Sequence, residues 1–498
     1  MTTARPDRRT EVALPYTHVD DYYVDGAWRT SASTRRTDVV DPATEEVWGS
    51  VPDAAPEDVE AVMTAADRAF RTGPWPRLRP SQRAEHLLRI ADEIERRAQA
   101  MAWTNSRENG TPLAETVGAA ANAAAIFRYV ATLAPYLEAE DVRPFPAGGA
   151  ESLVRRDPVG VSVLIAPWNF PINLVVVKLA PALLAGCTTV IKPALPTPLS
   201  IRFVIEAVEA AGVPAGVVNL LTGSGKVGEA LVRHRLTSKV AFTGSTEVGR
   251  RIAAACGELL RPVTLELGGK SSALVLPDAD LEQMSTVLLR SCLRNTGQTC
   301  YISSRILAPL ERYEEVVETV ARTVAEAKLG DPFDDDTVFG PLATRAQYET
   351  VLGYLESARE QGARVATGGR SADIERGWFV EPTVLADVTP DMRVAREEIF
   401  GPVVTVLPYA SLDEAVDIAN GTGFGLGGLV FSSDAGAALE VAERMDTGSV
   451  GINFFASNHS APFGGRHDSG LGVEYGIEGL SAYLTYKSIH RRPATPSP

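Results

Sequence analysis

The sequence predicts an α/β chain with two doubly wound, parallel-sheet sections and a small β arm. Two observations carry that reading. From Val159 onward, short β-rich runs alternate with helical periodicities, and that alternation implies a parallel sheet covered by helices on both faces. Near the end, residues 481–489 alternate as a strand with no local partner, so they are expected to pair with a remote hairpin or another subunit. At 498 residues the chain is too long for one core, and two or three domains are expected.

In chain order, 22–28 read as a hairpin turning at Asp25-Gly26. Pro56 opens a helix with an apolar face of Val59, Val62, Met63, Ala66 and Phe70. A second helix starts near Pro80, repeats Leu87, Ile90, Ile94, Ala98 and Met101, and stops at Asn109-Gly110. The alanine-rich stretch 113–137 is a third. Strands are then expected at 159–166, 188–192, 217–221 and 239–243, with helices at 171–185, 199–211, 227–235 and 248–256. The second section carries helices near 281–295, 314–328 and 346–361, and strands near 403–407 and 428–431. The tail from Arg491 reads as disordered.

Composition excludes several classes. Hydrophobic residues make up 45% and charged ones 22%, as in a soluble globular protein. A net charge of −15 argues against nucleic acid or an anionic membrane as partner. The most apolar window, 172–191, is interrupted by Lys178, Pro181 and Gly186, so a buried helix and strand are expected there rather than a membrane span. Residues 1–19 lack the apolar core of a signal peptide. Four cysteines in such a length form no disulfide framework and suit a reducing cytoplasm. The six histidines show no ligand spacing, so no metal is expected.

The candidate chemistry centres on Arg294-Asn-Thr-Gly-Gln-Thr-Cys300, which sets a cysteine at the lip of a polar turn. In Val263-Thr-Leu-Glu266-Leu-Gly-Gly-Lys270 a lone carboxylate lies in an apolar strand that breaks at two glycines. A nucleophile and a shielded base are the requirements of acyl chemistry. Asn169, between Pro167 and Pro171, offers a neutral amide to a developing oxyanion, although asparagine there also suits a plain turn. Gly223-Ser-Gly225-Lys-Val-Gly228 is a literal G-x-G-x-x-G, but it follows the third strand of its run and lacks the acidic residue one strand on. It reads either as a tight turn or as a rim for a nucleotide. Phe242-Thr-Gly244-Ser245-Thr246 is better placed for phosphate, at a helix start whose dipole favours an anion, or else Ser245 is an ordinary cap.

Together, Pro167-Trp-Asn-Phe-Pro171, 242–249, Leu265-Glu-Leu-Gly-Gly-Lys270, Gly297-Gln-Thr-Cys300, Glu398-Ile-Phe-Gly-Pro402 and Pro462-Phe-Gly-Gly465 resemble the aldehyde dehydrogenase superfamily, in its order and spacing. The resemblance covers about 22–489. It implies an aldehyde-dehydrogenase-like fold: a dinucleotide-binding domain over 1–126 and 155–266, a catalytic domain over 267–470, and an oligomerisation arm over 127–154 and 471–498. It implies Cys300 as nucleophile, Asn169 and the Cys300 amide as oxyanion donors, Glu266 as deacylating base, and Lys178 with Glu474 as a proton relay. A cysteine thiol with its ordinary pKa of about 8.5 must lose its proton for rapid attack.

NAD, with NADP as an alternative, is implied as cofactor. Lys192 would bind the adenosine ribose, Ser245 the pyrophosphate, and Glu398 the nicotinamide ribose, with Phe400 against the ring. Ile165, Pro167, Trp168, Leu195, Gly225, Phe242, Gly244, Val248 and Leu267 would line the same site. Leucine at 195 replaces a glutamate common in the family, which removes one support for discriminating against NADP. Ser271-Ser272-Ala273 is a second departure, without a functional account. Phe170, Leu174, Val177, Tyr301, Phe454, Phe455 and Phe463 are the pocket candidates. They are apolar or aromatic with no lysine or arginine, so an apolar aldehyde is expected over a carboxylate-bearing one. The expected assembly is a homodimer or homotetramer. The rivals are a coenzyme-A-acylating semialdehyde dehydrogenase, disfavoured by Glu266, and a non-catalytic protein on the same fold.

Overall fold

The computed structural model describes residues 18–492. The N-terminal residues through 17 and the tail from 493, on which the leader and disorder expectations fall, lie outside them. Arg491, expected in that tail, is instead the last residue of a strand.

The first sheet has eight strands, and its parallel core explains why the sequence pattern was readable. Val161–Ile165, Thr188–Lys192 and Lys239–Thr243 are buried at every position, so they appear as short β-rich runs with no polar–apolar alternation. From Val161–Ile165 the sheet grows through Thr188–Lys192 and Val218–Leu220 in one direction. It grows through Lys239–Thr243 and Val263–Glu266 in the other. The order therefore reverses between Val161–Ile165 and Lys239–Thr243, and the carboxyl ends of strands at such a reversal are where α/β sheets bind ligands. Antiparallel pieces close both edges: the hairpin Asp21–Val24 with Ala27–Thr30, and Gly470–Leu471. Asp25 and Gly26 turn that hairpin with φ of 55° and 75°.

The helix Pro171–Ala185 starts on a proline and stops at Gly186, whose φ is 96°. Two expected helices are divided. The stretch from Pro80 forms Pro80–Arg96 and Ala98–Asn109, broken at Arg97 without a proline or glycine to mark it. The alanine-rich stretch forms Leu113–Thr116, Ala119–Ala131 and Ala134–Glu138. By length and composition 113–138 could cross a membrane, but here Ala123, Ala124, Ile126 and Phe127 pack into the first core beside Leu179 and Leu183.

The second sheet runs Arg364–Thr367, Thr383–Ala386, Val403–Tyr409, Arg305–Pro309, Ser272–Val275, Gly427–Phe431, Ser449–Ile452, antiparallel only at its first edge. The strands at 364–367, 383–386 and 449–452 had no clear signal, being four residues each. Cys300 precedes Arg305–Pro309, and Gly268-Gly269-Lys270 precedes Ser272–Val275. The catalytic candidates thus stand between the carboxyl ends of the first sheet and the amino ends of the second.

The arm is a three-stranded antiparallel sheet, Leu484–Arg491 beside Glu151–Pro158 beside Asp141–Pro144. The terminal strand finds its remote hairpin within this chain, in continuous register from Leu484↔Pro158 to Arg491↔Glu151. It starts later than expected, because Gly476–Ser481 is a short helix. The arm sheet is narrower than the ranges 127–154 and 471–498, since Phe127, Val130, Leu480 and Tyr483 belong to the first core.

Candidate active site

The loop that presents Cys300 is built against backbone preference. Asn295, Thr296 and Gly297 take φ of 53°, 54° and 74° in succession, a left-handed run that is costly for a β-branched threonine. Only glycine fits at 297, because a Cβ would lie 1.8 Å from the Gly401 carbonyl oxygen. Side chains hold the run in place. The Thr111 hydroxyl donates to Asn295 Oδ1 at 2.7 Å, and Asn295 Nδ2 donates to the Asn169 carbonyl at 3.1 Å. The Thr296 hydroxyl accepts from the Gly340 amide at 3.0 Å. Phe400 and Tyr475, also near the site, have φ of 56° and 61°. Non-glycine residues held in this region cluster where a site is pre-organised.

Asn169 is buried, and its side-chain Nδ2 donates to the Gln298 carbonyl at 2.9 Å. That bond ties the proline-flanked turn to the cysteine loop. One N–H of the amide is therefore engaged, and Nδ2 has no second acceptor among the described residues. Backbone packing is close here too: a Cβ at Gly269 would fall 2.3 Å from the Cys300 carbonyl oxygen.

Behind the cysteine lies a row of buried charges. Lys178 is fully buried, with Nζ 2.7 Å from Glu474 Oε1 and 2.6 Å from Thr243 Oγ1. Thr243 and Glu266 are register partners on adjacent strands. Glu266 is 3% exposed and neither carboxyl oxygen has a hydrogen-bond partner among the described residues. Burial, then the Glu474 charge, push its carboxyl well up, while Lys178 offsets part of the rise. On the same face, one strand turn back, Lys239 Nζ donates to Thr264 Oγ1 at 2.7 Å. Burial brings Lys239 down to about 8. For Cys300, burial and then the carboxylates Glu398 and Glu266 push the thiol up, against its own amide and that of Tyr301.

At the strand reversal the expected cofactor contacts gather. Lys192 ends its strand 7% exposed, with Nζ 3.2 Å from its neighbour's carbonyl at Pro193, and burial lowers it to about 8. A Cβ on Gly228 would lie 3.6 Å from the Lys192 stem, so the glycine-rich turn runs past this lysine, and Gly225 faces open space. Asp53, not foreseen, is the charge that supports protonated Lys192; it accepts from the Ser224 amide at 2.9 Å and pairs with Arg35 at 3.3 Å. Ser245 caps the helix Thr246–Glu258, accepting from Val248 N, which satisfies the plain capping reading while leaving the helix start at the sheet's carboxyl end. Val248 is 40% exposed. A Cβ at Gly244 would strike Phe242, and one at Gly249 would strike Leu267. Across the gap, Trp168 meets Phe400 edge to face at 5.3 Å. Glu398 accepts from the Gly269 amide at 3.1 Å, and burial raises it to about 7. Leu195 is half-buried against the first core.

The aromatic candidates form one continuous wall. Tyr301 stacks on Phe455 at 5.0 Å and meets Phe463 edge-on at 6.1 Å. Phe463 reaches Tyr475 at 6.2 Å, and its backbone pairs with that of Glu474, joining the wall to the buried charges. Phe454 is 62% exposed and stands apart, Val177 is buried, and Leu174 packs against the first core. The expectation of a wall without arginine is corrected. Arg294 lies 4.9 Å over the Phe170 ring, donates to the Tyr301 hydroxyl at 2.7 Å and to Glu115 at 2.5 Å. No local pattern marks this contact, since Glu115 lies 179 positions away. Among the described residues, no cluster of three or more His, Cys, Asp or Glu could hold a metal.

Residues 28–489 match the model of the aldehyde dehydrogenase family. The chain is 47% identical over 470 residues to the geranial dehydrogenase of Castellaniella defragrans, covering 94% of this chain and 98% of that protein. It overlays the NAD+ complex of betaine aldehyde dehydrogenase from Staphylococcus aureus at a TM-score of 0.93 and 35% identity, over 97% of both chains. It also overlays a cysteine-to-alanine variant of aldehyde dehydrogenase C from Pseudomonas syringae, bound to NAD+ and octanal, at 0.91 and 37% identity, over 97% and 98%. The chain belongs to the aldehyde dehydrogenase family. It is an oxidoreductase of aldehydes, and relatives of its fold hold NAD+.

Proposed function

We propose that the protein oxidises a neutral, apolar aldehyde to its carboxylic acid with NAD+, through a covalent intermediate on Cys300. The observation that supports this most is the strained 294–300 loop, tied by Asn169 and Asn295 to the end of the first strand and backed by Glu266, Lys178 and Glu474. Ionised Glu266 takes the Cys300 proton and passes it on, the thiolate attacks the carbonyl carbon, and the free N–H of Asn169 with the Cys300 amide stabilises the oxyanion. Bound NAD+ accepts the hydride released as the adduct becomes a thioester. Glu266 then takes a proton from the attacking water and passes it to the Lys178–Glu474 pair. A carboxyl raised by burial is a stronger base once ionised.

The residues at the strand reversal suit a dinucleotide. Lys192 and the helix start at Ser245 supply donors for ribose and phosphate, and Trp168, Phe400 and Glu398 supply a walled slot. NAD+ is favoured by the Asp53 carboxylate beside Lys192, whereas Leu195 and Arg35 leave room for measurable use of NADP+. Residues 18–126 and 155–266 belong to the dinucleotide-binding domain, and 267–470 to the catalytic domain that carries Cys300. Four free cysteines suit a reducing cytoplasm.

The arm is read as an oligomerisation element making a homodimer or homotetramer. Val142, Tyr486 and Ile489 on this small sheet, with Phe145 just past the end of its first strand, support this, being large apolar residues more than a third exposed.

The deciding experiment follows NADH with octanal, benzaldehyde and succinate semialdehyde, with and without coenzyme A. NADH should form without coenzyme A, and most efficiently with octanal. Strict dependence on coenzyme A, or a higher kcat/KM for succinate semialdehyde, would refute this reading.

A further inference from the structure

An aromatic cage is ordinarily a good receptor for a quaternary ammonium group, because each ring face attracts a cation. Phe170, Tyr301, Phe455, Phe463 and Tyr475 would make such a cage, but its attractive surface is already used. The Arg294 guanidinium covers the Phe170 face at 4.9 Å, and Phe455 stacks on Tyr301 at 5.0 Å. Arg294 stays charged at any working pH. Glu115 and the Tyr301 hydroxyl fix it through Nε and Nη1, and both side chains of the ion pair are about 70% shielded, at 30% and 26% exposure. The segment carrying Glu115 is strapped to the same loop by Thr111 and Asn295. The pocket therefore holds a rigid pair of opposite charges with the positive member on the ring.

We infer that the Arg294–Glu115 pair is the charge filter of the aldehyde pocket, turning away cationic aldehydes through Arg294 and anionic ones through Glu115, and admitting neutral unsaturated, aromatic or long-chain aldehydes. The inference rests on the proposed function, with the aromatic wall around Tyr301 taken as the place that receives the aldehyde. Arg294 acts on specificity and takes no part in bond making. A neutral substrate with double bonds gains from the same arrangement, since its π electrons can lie against the guanidinium.

The test compares kcat/KM for betaine aldehyde, succinate semialdehyde and octanal in the wild type, Arg294→Met, Arg294→Lys and Glu115→Gln. Arg294→Met frees the Phe170 face and leaves Glu115 uncompensated, so the betaine aldehyde to octanal ratio should rise at least about tenfold. Glu115→Gln should instead raise the succinate semialdehyde to octanal ratio by about the same factor. Arg294→Lys keeps the charge and should keep the rejection of betaine aldehyde, which guards against a merely loosened pocket. Equal gains for both charged aldehydes in Arg294→Met, or a gain for betaine aldehyde in Arg294→Lys matching that in Arg294→Met, would overturn the filter. Failure of the wild type to oxidise octanal would instead refute the functional reading beneath it.

Discussion

Lys178 and Glu474 form an ion pair of 2.7 Å in which the lysine has no exposure to solvent. Removing one partner of such a pair leaves a bare buried charge and costs about 3–5 kcal/mol. Lys178→Met should therefore lower the thermal midpoint markedly. It should also raise the pH at which Glu266 ionises, because Lys178 is the one charge that opposes the rise. A Glu266 carboxyl raised in the folded state binds more protons than in the unfolded chain. Its contribution to stability is thus full below about pH 4.3, the unfolded value, and is lost as pH climbs through the folded value. The loss in Lys178→Met should extend to higher pH than in the wild type. Unfolding curves from pH 5 to 9 that run parallel for the two proteins would contradict this.

Cys300→Ala should abolish dehydrogenase turnover, whereas Glu266→Gln should give a burst of NADH and then stall with acyl-enzyme accumulated. Stopped-flow absorbance and intact mass separate the two. The raised Cys300 thiol gives a pH dependence of its own. Without cofactor, iodoacetamide should label Cys300 more slowly than a free thiol at pH 7, and the rate should keep rising past pH 9. A plateau below pH 8 would show a thiolate already formed.

Cofactor choice should respond to a carboxylate gained or lost at either of two positions, in opposite directions. Leu195→Glu should raise the NAD+ to NADP+ ratio of kcat/KM by at least about tenfold, the effect of about 1.4 kcal/mol. Asp53→Asn should lower that ratio by removing the carboxylate beside Lys192. If Asp53→Asn leaves the ratio unmoved, this carboxylate does not face the adenosine ribose.

The arm gives a fourth prediction. The double variant Tyr486→Asp, Ile489→Asp places charge on two exposed apolar positions without touching the register of Leu484–Arg491. It should sediment as a smaller particle with unchanged far-ultraviolet dichroism. Truncation before Ser481 is harsher, since it also deletes Tyr483, whose ring lies 5.1 Å from Lys239 Nζ. It should unfold part of the first core. An unchanged sedimentation coefficient in the double variant would remove the arm from the assembly.

How much of this was legible depends on the range of each interaction. The parallel strands at 188–192 and 239–243 could be read because burial on both faces writes itself into consecutive residues. The candidates Cys300 and Glu266 could be singled out because each sits in a local setting that does not suit it, a thiol at a polar turn and a carboxylate in an apolar strand, whereas Asn169 equally suited a plain turn. The break at Arg97 could not, because a regular apolar period runs across it and only the tertiary fold separates the two helices. Asp53 beside Lys192, Arg294 over Phe170 and Lys239 below Thr264 were equally hidden. Each is an ordinary charged residue until a distant segment gives it a neighbour. Ser271, one of the unexplained departures, has a structural role, accepting from the Gly427 amide at 3.2 Å. Nothing in the structure explains Ser272.

The pairing of Leu484–Arg491 with Glu151–Pro158 spans more than three hundred positions, which sets a timetable for synthesis on the ribosome. The hairpin partner emerges first, and its outer edge stays without a neighbour until residues 484–491 have been made. At about 5–20 residues per second the wait is roughly 15–65 s, far longer than a hairpin needs to form. The nascent chain must carry an open strand edge while those intervening residues are made, at the stage when such edges invite mispairing between chains on neighbouring ribosomes.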